Sequence, residues 1–132
     1  MADGEIPTAE EILRIHSRIE EKYDLKHKGM MKTAPKFKLR REVLEPAAEY
    51  DDPYPRAAVL LFGIPSVHVF EDGNKRTAWI ATQEYLERSG INSAIPQDDR
   101  TIEKIVRRAG LFTFDELARW FETGEIDVDR LQ

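Results

Sequence analysis

Residues Arg56 to Val67 read RAAVLLFGIPSV, and this run is apolar nearly all the way round a helical wheel. A helix without a polar face belongs in the interior, so the run predicts a buried helix at the centre of the domain. Pro65 lies inside it and is expected to kink or end it, because proline lacks an N–H and clashes with the preceding turn. The stretch DDPYP at 51–55 breaks the chain just ahead, since each proline biases its predecessor away from the α region.

The other patterns are helical too. Thr8 and Glu11 fit a capping box, and Ile12, Leu13, Ile15, His16 and Ile19 follow at mostly helical spacing, predicting a helix over 9–22. The stretch DLKHKGMMKTAPKFK shows no clear period and reads as a long loop, with a short extended candidate near Phe37. Leu39 to Glu49 reads as a second helix. Asn74 to Ser89 carries Ala78, Ala81, Thr82, Tyr85 and Leu86 on one side, and Gly90 closes it. Asp98 or Asp99 can cap a helix bearing Ile102, Ile105, Val106 and Ala109, ended by Gly110. Thr113 and Glu116 form a second capping box ahead of Leu117, Ala118 and Phe121. Ile91–Ile95 is the one other strand candidate. The expected fold class is all-α, in a single domain over 1–132 with residues 1–8 as a flexible N-terminus.

Composition narrows the function. The 132 residues are 41% hydrophobic and 34% charged, as in an ordinary globular domain. Without a cysteine there is no disulfide, thiolate or cysteine-ligated zinc. No apolar run approaches the roughly 20 residues that span a bilayer, and the first residues lack a basic and apolar leader, so no membrane partner is expected and the expected compartment is the cytoplasm. A net charge of −5 argues against nucleic acid as a partner over the whole surface, although Lys22 to Arg41 is locally basic. Ile102 to Phe121 superficially resembles a helix-turn-helix with Arg107 and Arg108. No basic recognition face follows Thr113, so ordinary helix packing is the better reading.

Between the buried helix and the next one lies HVFEDGNKRTA, residues 68–78. If a helix starts near Asn74, the free N–H groups of Gly73, Asn74 and Lys75 converge, and a helix N-terminus favours an anion. Gly73 would let the backbone approach a ligand closely. Lys75 and Arg76 in the first turn oppose the helix dipole, at a cost of tenths of a kcal/mol each that a bound phosphate would reverse. Asp72 is a hard oxygen ligand of the kind that joins magnesium to phosphate oxygens. His68 is placed to act as a general base on an attacking hydroxyl, and Phe70 is expected to point into the core. Taken singly, each residue has an ordinary alternative: an exposed histidine, an Asp-Gly turn, an Asn cap, solvated cations. Their joint order and spacing sets them apart. They do not form a Walker A loop, which needs Gly-Lys-Ser/Thr together.

The stretch resembles the signature of the Fic/Doc superfamily, H-x-F-x-[DE]-[GA]-N-[GK]-R, and looks most like the Doc (death-on-curing) toxin branch, where H-x-F-x-D-[GA]-N-K-R-T-A is typical. The early EILRIH, the segment YLERSGI and the C-terminal pair of helices are similar as well. The resemblance implies an all-α bundle with the active loop between two central helices, and use of ATP with Mg2+. It makes His68 the base, Asp72 the metal ligand, and Gly73, Asn74, Lys75 and Arg76 the phosphate-binding loop. The Fic pattern has glycine at the place of Lys75 and a second arginine at the place of Trp79. Both departures match the Doc branch, whose members are similar to kinases that transfer the γ-phosphate of ATP to a protein hydroxyl. There the best-known target is a translation elongation factor, and a small antitoxin protein inhibits in trans. Fic-type transfer of AMP is the alternative, and a non-catalytic helical binding module is a further one. Autoinhibited relatives use [ST]-x-x-x-E-[GN]; Ser17 to Glu21 fits its first part, but Lys22 follows, so inhibition by a partner is expected.

Overall fold

The structure is a computed structural model that describes residues 5–23, 25, 29, 34–92 and 95–132. The described residues form helices and no strands: α1 (Ala9–Tyr23), α2 (Pro35–Leu39), α3 (Glu45–Ala48), α4 (Pro53–Val67), α5 (Asn74–Arg88), α6 (Asp99–Arg107) and α7 (Phe114–Thr123). The all-α expectation holds. Helix α4 is the hub. Its N-cap Asp52 accepts from the Tyr54 N–H at 3.1 Å, and Ala57, Ala58, Leu60, Leu61 and Ile64 are buried along it. It packs chiefly against α5 and α7, while α1 lies across α5. Burying a Leu or Ile side chain contributes roughly 1.5–3 kcal/mol, so the apolar run at 57–64 supplies much of what holds the bundle together. Pro65 sits in the last turn, and α4 ends two residues later, at Val67. The helix stops soon after it, as expected for a residue that cannot donate to the Leu61 carbonyl and crowds it.

Both capping boxes form. Thr8 and Glu11 exchange hydrogen bonds at 3.1 Å in each direction, and Thr113 and Glu116 do the same at 2.9 and 3.1 Å. Arg130 adds an ion pair to Glu116 at 2.6 Å, and together with the Thr113 N–H it pushes that carboxyl down to about 2. Gly90 closes α5 with φ +76: its N–H reaches the Glu87 carbonyl at 3.0 Å, and the Ile91 N–H reaches Leu86 at 2.9 Å. That double bond is the Schellman arrangement, which requires a left-handed residue where Gly90 stands. Of the N-terminal stretch, residues 1–4 lie outside the described residues. Ile6 packs against the core, and the Glu5 carbonyl accepts from Arg88 at 3.1 Å.

Four expectations need correction. Phe37 is helical, not extended, and the second helical stretch begins at Pro35, not Leu39. Leu39, Val43 and Ala47 face inward at a spacing of four, and proline at the first position is a good helix start. Between α2 and α3 the helix widens to a π-turn over Arg40–Leu44, with the Glu45 N–H reaching back to the Arg40 carbonyl. Pro46 follows directly; it cannot donate, so the wider turn spares its ring a clash with the preceding carbonyls. Helix α6 also ends earlier than expected, at Arg107, with Gly110 inside a short 3₁₀ turn (Ala109–Leu111). The strand candidate at 91–95 falls partly outside the described residues, and its described positions are not strand.

Candidate active site

Helix α4 is capped by His68, which takes a left-handed conformation with φ +52, and α5 begins six residues later. A non-glycine residue in that region costs roughly 1–2 kcal/mol, and such strain gathers at functional sites. The His68 side chain is exposed. It shares a cleft of about 970 Å³ with Asp72, Gly73, Asn74, Lys75 and Arg76. All six residues singled out from the sequence therefore line one cavity. Trp79, Ile80 and Ile102 form part of its apolar wall, and Asp99 and Glu103 line it as well.

The loop owes its shape to side chains that face away from the cleft. Phe70 is fully buried, as expected. Asn74 is buried too, and its amide grips the loop from within: Nδ2 donates to the Phe70 carbonyl at 2.9 Å, and Oδ1 accepts from the Phe70 N–H at 3.2 Å. The Asn74 side chain is thus committed to the loop, and of its polar groups its backbone N–H is left unpaired among the described residues at the start of α5. Gly73 caps α5 with φ +79, and a Cβ there would stand 3.1 Å from Leu25, 3.5 Å from Ile19 and 3.7 Å from His16. Glycine is required here by the left-handed turn and by the closeness of α1.

The unpaired amides of the α5 N-terminus lie one residue further along than the sequence suggested. Asp72 Oδ1 already accepts the Gly73 N–H at 2.8 Å, and α5 has no side-chain cap. The N–H groups of Asn74, Lys75 and Arg76 precede the first intrahelical bond, which runs from Thr77 to the Gly73 carbonyl at 2.9 Å. Both loop cations are held at the rim. Lys75 Nζ donates to the Arg107 carbonyl, and the Arg76 guanidinium lies 4.0 Å from the centre of the Tyr23 ring. Tyr23 and Arg107 line the cleft and His16 bonds the loop backbone from beneath; sequence reasoning assigned none of the three to the site. Tyr23 closes α1 and Arg107 closes α6, far along the chain from the loop. His16 carried a signal, as the one polar residue on the inner face of α1.

Asp72 is the carboxylate at the start of α5, and Glu71, Asp99 and Glu103 line the same cleft. The second Asp72 oxygen has no hydrogen bond among the described residues, and no set of three or more His, Asp or Glu gathers there to hold a metal unaided. One carboxylate beside a helix N-terminus fits magnesium that arrives bound to phosphate, since that ion typically takes one or two carboxylates plus phosphate oxygens and water.

The sequence model of the Fic/DOC family matches residues 6–86. The chain belongs to the Fic/DOC family. The match runs from just ahead of α1 almost to the end of α5, so it contains the whole loop and both helices that frame it. Fic/DOC proteins are generally transferases and typically use ATP with a metal ion. Helices α6 and α7 of this Fic/DOC chain lie beyond the matched residues, and Trp79 stacks on Trp120 of α7 at 5.8 Å and 21°. No curated protein matches the sequence significantly. Among the described residues, no helix is long and apolar enough to cross a membrane.

Proposed function

We propose that this protein is a Doc-like kinase, which moves the γ-phosphate of ATP onto a Ser or Thr hydroxyl of a protein. A translation elongation factor is the first target to test. The observation that carries the choice is Trp79. Where the Fic pattern places a second arginine, this chain has an indole packed on Trp120 and Phe121. Without that bidentate guanidinium, fewer phosphates can be fixed in the orientation that exposes the α-phosphorus. The three free amides, Lys75 and Arg76 still suit a terminal phosphoryl group, whose transfer depends mostly on positioning and charge neutralisation.

In this reading His68 takes the proton of the target hydroxyl as its oxygen bonds to the γ-phosphorus. The bond from that phosphorus to the bridging oxygen breaks, and ADP leaves. Lys75 and Arg76 swing from their rim contacts toward the phosphates, and the α5 amides hold the transferring group. Asp72 would hold magnesium, which when bound neutralises phosphate charge. Inhibition by a small antitoxin-type partner belongs to the same reading, because the Ser17–Glu21 segment of α1 does not complete the autoinhibitory pattern.

ATP labelled at either the γ- or the α-phosphate, incubated with protein and cell lysate, separates the possibilities. Label from the γ-position alone should stay on a target protein. Retention of α-label would replace the kinase with AMP transfer, and retention of neither would contradict both.

A further inference from the structure

We infer that His16 is a positioning residue for the loop, holding the Asp72 peptide so that the Asp72 carboxylate and the α5 N-terminus face the cleft. His16 is 2% exposed, on a helix whose other buried side chains are all apolar. Its Nε2 lies 2.8 Å from the Asp72 carbonyl oxygen. A carbonyl only accepts, so Nε2 carries the proton. The ring stacks on Phe70 with centroids 3.7 Å apart and 5° between planes, which fixes its direction. Its other nitrogen stands 3.8 Å from Glu20, whose second oxygen accepts the Gly29 N–H at 2.7 Å; the Gly29 carbonyl in turn accepts from the Glu71 N–H at 3.1 Å. Two arms from α1 therefore reach the loop at the two residues that follow Phe70.

The consequence follows from peptide geometry. In a trans peptide the carbonyl and the next N–H point in opposite directions, and there is no cis bond among the described residues. With the Asp72 carbonyl turned onto His16, the Gly73 N–H points away from that ring, where it binds Asp72 Oδ1 at 2.8 Å. His16 thereby sets the stance of the carboxylate without touching the reacting groups. A leucine or phenylalanine there would pack as well and leave the carbonyl without its partner.

This inference rests on the transferase reading for its catalytic meaning, and its test is built to stand apart. His16→Phe keeps a ring against Phe70 and loses the donor; His16→Gln loses the ring and restores an N–H at similar reach. In nucleotide-free protein, His16→Phe is expected to move the Gly73 amide resonance, and His16→Gln to bring it back. Transfer should fall on the order of 10- to 100-fold in kcat for His16→Phe and recover in His16→Gln. An unmoved Gly73 amide in His16→Phe, or equal losses in both variants, overturns the assignment. If His16→Phe does not fold, nitrogen-15 spectra of the wild-type ring decide: a protonated Nε2 is expected, and a bare one contradicts it. The amide and tautomer readings need no nucleotide, so they remain decisive even where transfer itself fails to appear.

Discussion

His68→Ala is expected to lower transfer about 10²–10⁴-fold, the range lost with a general base, while the protein stays folded. The two halves of this result have separate causes. His68 is exposed and its ring contributes nothing to the core, so removing it leaves the packing of α4 and α5 intact. The backbone at 68 remains left-handed at φ +52, because the chain must still turn from α4 into the loop. A companion variant sharpens the point. His68→Gly should lose the same activity yet gain about 1 kcal/mol of stability, since glycine adopts this conformation without a Cβ clash. Urea unfolding of the three proteins, set beside their rates, would show activity lost in both variants while stability holds in His68→Ala and rises in His68→Gly. A fall in stability that matched the fall in rate would make His68 a structural residue and remove it from the mechanism.

Phe70→Ala should produce the reverse: a protein losing stability first. The ring is fully buried and stacked on His16 between α1 and the loop. Deleting a buried phenylalanine typically costs about 3–5 kcal/mol, through lost transfer energy and the cavity left behind. That is a large share of the roughly 5–15 kcal/mol by which a domain of this size is stable. The expected measurement is a lower urea midpoint with an unchanged slope, because the unfolded chain exposes nearly the same surface. Phe70→Leu, which keeps more of the volume, should lose less. A midpoint within error of wild type would mean that the loop does not depend on this anchor. The place of Phe70 between His68 and Asp72 makes one residue both core and site, so conditions that loosen the core there should also blur the cleft.

The sequence exposed the bundle well wherever one physical signal stood alone. The all-round apolarity of 56–67 located the hub, the two capping boxes located the starts of α1 and α7, and Gly90 located the end of α5. It failed where two signals opposed each other. Leu39 to Glu49 reads as helical and is, as far as Ala48, but the helix start at Pro35 is missed, because the Lys-rich, aperiodic 35–38 and its proline read as the end of a loop. The site divides in the same way. Its residues could be picked out because they are contiguous, and all six line one cleft. Their individual duties could not, since those depend on partners distant in the chain. Asn74 works through its amide on Phe70, Gly73 answers to Ile19 and Leu25 of α1 and the segment after it, and the Asp72 carbonyl answers to a histidine 56 residues away.

The claim beneath all of this is that the first turn of α5 grips phosphate. It is tested most directly by titrating isotope-labelled protein with Mg-ATP and following the backbone amides of Asn74, Lys75 and Arg76. Those three should shift together and saturate, with the rest of α5 nearly still. If they stay in place while nucleotide binds elsewhere, or if nothing moves as nucleotide is raised to cellular levels, the phosphate cradle does not exist and the transfer chemistry built on it falls.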